Sequence, residues 1–280
     1  MDRAWRWLSH ANAAVGHVLR RAVWVPWHGC TVNDQTVLVT GAAGAIGQAT
    51  VDRFLRAGAT VVGLDRRDTD RADDRYRHVV VELTNEAEVR HAVMEGLGDR
   101  SLTHLVGIAG GALPEEVASS DEPASIDVES FRASVEANLT SQFIVVQACL
   151  GRFIDFPSGD RSVTLTSSFN GLSAQGMPAY SAAKAGLIGL MYGLVAPLGS
   201  RGIRVNVVAP GTVRTPRTEA LWAHVPGHFE RLEAGTALGR LAAPGDIADT
   251  FVALALSLRH VTGQVLVVDG GQSVVHETRA

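Results

Sequence analysis

The chain has 280 residues, 46% hydrophobic and 19% charged, with a formal net charge of −4. That supplies apolar material for a large core, no basic surplus of the kind that nucleic acids attract, and two cysteines, Cys30 and Cys149, too few for a disulfide framework or a metal cluster. The ten histidines show no His-Glu-x-x-His spacing, which argues against a zinc hydrolase, and no apolar run reaches bilayer-spanning length. Ordinary thiols suit a reducing compartment, so a cytoplasmic location is expected.

Residues 1–30 read as an extension to a domain at 31–280. Arg3, Arg6, Arg20 and Arg21 face Asp2 alone, and Trp5, Leu8, Ala11, Val15 and Leu19 fall on one face of a helix over residues 3–21. Such a helix is expected to pack on the domain or on a second subunit; a loosely ordered tail, a transit peptide and a membrane-surface helix are the alternatives.

The domain alternates strands with helices. A buried strand at 37–39 runs into Thr40, Gly41, Ala42, Ala43, Gly44, Ala45, Ile46 and Gly47, and a helix follows over 45–57. Glycines at 41, 44 and 47 allow a tight turn and the close approach of a phosphate backbone to the free N–H groups of the helix start. An acid about twenty residues on completes the pattern. It is Asp65, ending a strand over 60–64, where a carboxylate binds a ribose hydroxyl and repels a 2′-phosphate; this favours NAD over NADP, while Arg66 and Arg67 beside it pull the other way.

The rhythm continues with strands at 78–81, 102–108, 162–166, 203–208 and 265–268 and helices at 85–97, 129–151, 178–199 and 244–257. Residues 66–77 and the acidic stretch 112–128 read as loops. Seven strands with intervening helices predict an α/β fold, a doubly wound parallel sheet of Rossmann type whose ligands sit at the carboxyl ends of the strands.

One helix carries the chemistry. Lys184 is the sole lysine of the chain and stands four residues after Tyr180, about one helical turn, so phenol and ammonium share a face. A free phenol has a pKa near 10; an adjacent fixed positive charge favours the phenolate, and about 4 kcal/mol of such interaction brings it to neutrality. The pair therefore points to proton transfer, with the hydroxyl of Ser167 or Ser168 beside it to hold a substrate oxygen.

These motifs stand in the order and at the spacing of the short-chain dehydrogenase/reductases, which the chain resembles over residues 34–273. The shared features are the 40–47 turn, Asp65, Ala109-Gly110, Asn138, Ser168, Tyr180 with Lys184, Pro210-Gly211 with Val213 and Thr215, and the closing Thr262-Gly263-Gln264 and Asp269-Gly270-Gly271. The resemblance implies an NAD(P)-dependent oxidoreductase acting on a small alcohol or ketone. Tyr180 would be the general acid/base, Lys184 would bind the nicotinamide ribose and lower the tyrosine pKa, and Ser168 would polarise the carbonyl. Asn138 would hold a water leading from Lys184 to solvent. Val213 and Thr215 would meet the carboxamide, Glu82 and Leu83 would flank the adenine, and Ala109-Gly110 would lie along the cofactor. Ser168 is chosen over Ser167 because it stands three residues before Gly171, although Ser167 has the commoner gap of thirteen to Tyr180.

The chain departs from the family pattern in places. Ala45 occupies the usual middle-glycine position, and Gly44 gives the spacing of the larger, extended relatives that epimerise or dehydrate nucleotide sugars. Too few residues remain for the substrate domain of those relatives. The usual Asn-Asn-Ala-Gly reads Gly107, Ile108, Ala109, Gly110, and Glu82 replaces a common aspartate. Substrate choice is expected at 212–240, where Trp222, His224, Pro226, His228 and Phe229 can line a lid, with Phe169, Gln175 and Met177 opposite. The competing functions are a cofactor-retaining epimerase or dehydratase and a non-catalytic dinucleotide-binding regulator. The resemblance also implies a homotetramer or homodimer formed through the helices at 129–151 and 178–199.

Overall fold

The computed structural model describes residues 35–118, 122–153, 160–173 and 176–274. The expected extension at 1–30 and Gln175 lie outside these residues. Seven parallel strands form one sheet in the order β3-β2-β1-β4-β5-β6-β7. They are β1 (Thr36–Thr40), β2 (Thr60–Asp65), β3 (Tyr76–Val80), β4 (His104–Gly107), β5 (Arg161–Thr166), β6 (Ile203–Pro210) and β7 (Val265–Val268). The order reverses between β1 and β4, paired with Val37 opposite His104 and Thr40 opposite Gly107. The crevice at that reversal is where a doubly wound sheet holds a ligand.

Strand alternation sorts the core into two layers. Val37 and Val39 of β1 join Val61, Val106 and Val208 on one face, while Leu38 joins Val62, Leu105 and Val207 on the other. Helices α1 (Ala45–Arg56) and α9 (Pro244–Leu256) cover the first face with the fully buried Phe54 and Phe251. Helix α2 (Glu86–Leu97) covers the second with Val89, Val93 and Leu97. Near-continuous apolar strands follow from this coverage, since a parallel sheet is buried on both sides.

Within the described residues the expected strands and helices are present, with ends moved by up to two residues, and the loops hold more structure than expected. The stretch read as loop at 112–128 contains α3 (Pro114–Ala118) and a 3-10 turn at Pro123–Ser125. Pro114 opens α3 and Glu115 and Glu116 fill its first turn, residues that suit a helix start; one turn is too short to show a periodicity. The single helix expected at 129–151 is α4 (Val128–Val135), a π turn (Glu136–Thr140) and α5 (Ser141–Cys149) in succession.

Helix α6 (Pro178–Gly199) matches its expected bounds. It corrects one expectation: by length and a mean hydropathy of 1.4 it is apolar enough to cross a membrane. Its Ala183, Leu187 and Met191 are fully buried, so this apolarity at least partly serves the core. The stretch at 212–240 folds into α7 (Pro216–Trp222) and α8 (His228–Ala234).

Candidate active site

The glycine-rich turn joins β1 to α1 beside the β1/β4 reversal. Gly41 has φ +68°, and a Cβ there would lie 2.9 Å from the Ala109 nitrogen, so both the backbone conformation and the approach to the β4 loop need glycine. Gly44 is the N-cap of α1 but offers no side chain, and the first intrahelical bond runs from the Gln48 N–H to the Gly44 carbonyl at 2.8 Å. The N–H groups of Ala45, Ile46 and Gly47 therefore open the helix without a capping acceptor, and no acid lies in its first turn. Asp65 is buried at the end of β2, where its Oδ2 accepts the Ala43 N–H at 3.0 Å and its Oδ1 accepts the Arg67 N–H at 3.0 Å. The Arg67 guanidinium stands 3.7 Å from the same carboxylate, while Arg66 points to solvent. A carboxylate has about four acceptor positions, so Asp65 supports the turn and still has capacity for a ribose hydroxyl.

The β4 end is built from replacements that the chain compensates. Thr40 Oγ1 accepts the N–H groups of Ile108 at 3.0 Å and Ala109 at 3.2 Å. Gly107 has no side chain, and the space a Cβ would fill is occupied by Gln142 Oε1 from α5. Gln142 donates its Nε2 to the Ala109 carbonyl at 2.7 Å, so an amide reaching across from a helix replaces one on the strand. Sequence reading missed Gln142; the signal was a glycine where relatives carry asparagine, with an amide residue on the facing helix. Asn138 lies in the π turn, a distortion frequent at functional sites. Its Oδ1 accepts the Gly111 N–H at 2.7 Å, and its Nδ2 donates to the carbonyls of Ser134 at 3.0 Å and Gly111 at 3.2 Å. Gly110, at φ +130°, is pressed between Asn138 and Lys184: a Cβ would lie 2.5 Å from Asn138 Oδ1 and 3.3 Å from Lys184 Nζ.

Tyr180 and Lys184 share one face of α6, with Lys184 Nζ 5.6 Å from the Tyr180 ring centroid. Lys184 is buried and donates to the Thr166 carbonyl at 2.9 Å. The two serines divide. Ser167 donates its hydroxyl to the Lys184 carbonyl at 2.7 Å, which ties β5 to α6. Ser168 caps a 3-10 turn (Phe169–Gly171), its hydroxyl donating to Asn170 Oδ1 at 3.3 Å, and it stands close enough to the Tyr180 phenol to lower its pKa. Gly171 lets that turn touch α6, for a Cβ would lie 2.9 Å from both the Lys184 carbonyl carbon and the Ala185 nitrogen. Met177, just before α6, adopts φ +47°, a left-handed conformation uncommon for a side-chain-bearing residue.

The electrostatics differ from the expectation that Lys184 lowers the tyrosine pKa. Burial raises the Tyr180 phenol above its ordinary value; the Ser168 hydroxyl and the charge of Arg217 oppose this, and Glu116 reinforces it. Burial also lowers the Lys184 ammonium to about 7, with Arg217 the second cause. Desolvation disfavours phenolate and ammonium alike, so the pair does not trade charge as two exposed groups would. Glu116 is a second residue that sequence reading missed. It is buried, its Oε1 accepts the Tyr180 backbone N–H at 2.7 Å, and its Oε2 accepts the Ser134 hydroxyl at 2.7 Å. A carboxylate from α3 thus holds the first turn of the helix that carries the tyrosine.

Other expected residues fall around this centre. Pro210 ends β6, and Gly211 donates to the Val268 carbonyl at 3.0 Å. Val213 is buried beside Ala242, and Thr215 caps α7 in a reciprocal box with Thr218. Leu83 packs into the core under α2, while Glu82 is exposed and bonded to Thr84. Trp222 is engaged within the lid, stacked 4.4 Å from His228, which meets Phe229 edge-on. Phe169 and Met177 are half-buried near the start of α6.

Comparison with known proteins agrees with this geometry. A family model described as enoyl-(acyl carrier protein) reductase matches residues 41–273. An uncharacterized oxidoreductase of Schizosaccharomyces pombe is 32% identical over 86% of this chain and 92% of its own length. The 2,3-dihydro-2,3-dihydroxybenzoate dehydrogenase of Escherichia coli is 30% identical over 86% of this chain and 98% of its own. A solved short-chain dehydrogenase/reductase from Burkholderia thailandensis is 37% identical, covers 86% of this chain and 94% of its own, and superposes with a TM-score of 0.74. Sheet order, motif placement and these matches lead to one conclusion: the chain belongs to the short-chain dehydrogenase/reductase family of NAD(P)-binding oxidoreductases.

Proposed function

We propose that the protein interconverts a secondary alcohol and a ketone with NAD as cofactor, and that Tyr180 is the residue that moves the proton. The reading rests above all on Tyr180 and Lys184 sharing one face of α6, with Lys184 Nζ 5.6 Å from the ring centroid, and on Ser168 acting on the phenol, at the carboxyl end of the sheet. The residues fit a dinucleotide: uncapped N–H groups at the start of α1 for phosphates, Asp65 for a ribose, and a glycine path at Gly110 beside Lys184. When bound, the nicotinamide accepts or returns the hydride.

The chain's own residues do the rest. Ser168 holds the substrate oxygen at hydrogen-bond distance from the phenol. Tyr180, which burial keeps protonated, donates to a ketone oxygen in reduction and takes the proton back in oxidation. Lys184 supplies a donor to the nicotinamide ribose. Asn138 holds Gly111 against α4 and the π turn and so fixes the wall beside Lys184. Asp65 favours NAD over NADP through repulsion of a 2′-phosphate. Val213 and Thr215 face the nicotinamide end, and Phe169, Met177 and the lid around Trp222 shape the substrate pocket. The exposed Phe131, Phe143 and Tyr192 on α4, α5 and α6 support a homodimer or homotetramer, and the buried free Cys149 suits the cytoplasm.

A panel of secondary alcohols and ketones followed at the NADH absorbance band, with NAD and NADP in parallel, tests this reading. Stoichiometric turnover with NAD is expected. Turnover with NADP alone contradicts the role of Asp65, and turnover without net cofactor change contradicts the reaction class.

A further inference from the structure

Arg217, in the first turn of α7, lies across the groove between the lid and the β4 loop. Its Nη1 donates to the Gly110 carbonyl at 3.1 Å and its Nη2 to the Ala112 carbonyl at 2.7 Å. Gly111 clears the way: at φ +140°, a Cβ there would lie 2.5 Å from Arg217 Nη1. A guanidinium has five donors, and these bonds go to neutral carbonyls. No carboxylate is among the groups that act on its charge; burial lowers its pKa first, Tyr180 opposes this, and Arg66 and Arg67 add to it. The groove thus carries an exposed fork of positive charge with donors to spare.

We infer that Arg217 is an anion-binding residue that closes the lid over the pyrophosphate of the dinucleotide, an inference that rests on the cofactor reading above. Its neighbours locate the anion. Arg66 and Arg67 mark the adenosine end beside Asp65, and Tyr180 with Lys184 marks the nicotinamide end; Arg217 acts on groups at both ends. The part of a dinucleotide between its two nucleosides is the pyrophosphate. Its other side faces the acid-free start of α1, so the diphosphate is held between backbone N–H groups and a guanidinium fork. A carboxylate on the substrate is the competing occupant, and it would leave binding of the isolated cofactor moiety unaffected.

Equilibrium binding of NADH, ADP-ribose and adenosine to the wild-type protein, R217M and R217K decides the matter. ADP-ribose carries the pyrophosphate but no nicotinamide, and adenosine carries neither. R217M is expected to weaken ADP-ribose about tenfold, to leave adenosine within about twofold, and to flatten the salt dependence of ADP-ribose binding. R217K, which keeps the charge but not the fork, is expected to fall between, and it decides the question if R217M does not fold. Wild-type affinity for ADP-ribose in both variants overturns the inference alone, as does an equal loss for adenosine. A wild-type protein that binds neither NADH nor ADP-ribose overturns the cofactor reading beneath it.

Discussion

Glu116 touches the backbone, not the phenol, of the proposed proton-transfer residue, and yet acts on both its position and its charge. Its carboxylate takes the Tyr180 backbone N–H and the Ser134 hydroxyl, one partner for each oxygen. Glu116→Ala removes both acceptors and is expected to cost about 1–2 kcal/mol of stability in denaturant unfolding, the range of a lost helix cap plus an unpaired hydroxyl. Glu116→Gln keeps an acceptor for the N–H and gives Ser134 a donor, so it should retain most of that stability. Because Glu116 raises the Tyr180 pKa, the neutral variant should shift the alkaline limb of the pH–rate profile to lower pH; an unmoved limb would show that the charge has no part in setting it. The sequence displayed Tyr180, Lys184 and Ser168 because their spacing is local. It concealed Glu116, which meets Tyr180 across 64 positions from a segment whose acidity suggested solvent.

Elements carry the same lesson in a different form. Each strand and long helix was legible as an apolar stretch of the right length between turn residues, as in α6, whose bounds were expected without error. The π turn at Glu136–Thr140, the single-turn α3 and the lid helices α7 and α8 were not, since one or two turns leave no period to read. The β4/α5 contact was missed for another reason: Gly107 stands out as a departure, but that Gln142 fills its space shows only in three dimensions. Gly107→Ala places a methyl on Gln142 Oε1 and should destabilise the protein, while Gln142→Ala removes the obstacle. A double-mutant cycle should therefore give a coupling of about 0.5–3 kcal/mol, with the pair less harmful than the sum; strict additivity would mean that the two side chains do not share that space.

At the scale of the molecule, the two faces of the sheet differ from its two ends. The faces bury apolar side chains, the carboxyl end gathers the proposed catalytic residues, and the amino end contains a buried polar network. His104 sits there, fully buried, with Nδ1 2.9 Å from Ser162 Oγ and Nε2 2.7 Å from Gln35 Oε1. Burial, then Arg204 and Arg259, lower its pKa from 6.5 to about 3. The unfolded chain gains this proton below pH 6.5 and the folded one does not until about 3, so stability is held above the first value and lost as pH falls toward the second. Between pH 7 and 4.5, His104→Gln should lose about 2 kcal/mol less than the wild-type protein in urea unfolding, and an identical pH dependence would contradict the assignment. The overall α/β architecture was readable from the alternation of strands and helices; the charge state of buried groups was not, because it depends on solvent exclusion that only the packed chain imposes. Solvent exclusion also acts at the proposed site, where a half-buried phenol near Ser168 and Lys184 is to pass the proton. The direct test is the rate of NADH-linked turnover in Tyr180→Phe on the best substrate of the panel, with NADH affinity measured alongside. A fall of roughly 10²–10⁴-fold in kcat with little change in NADH binding is the predicted result; turnover at the wild-type rate would contradict it.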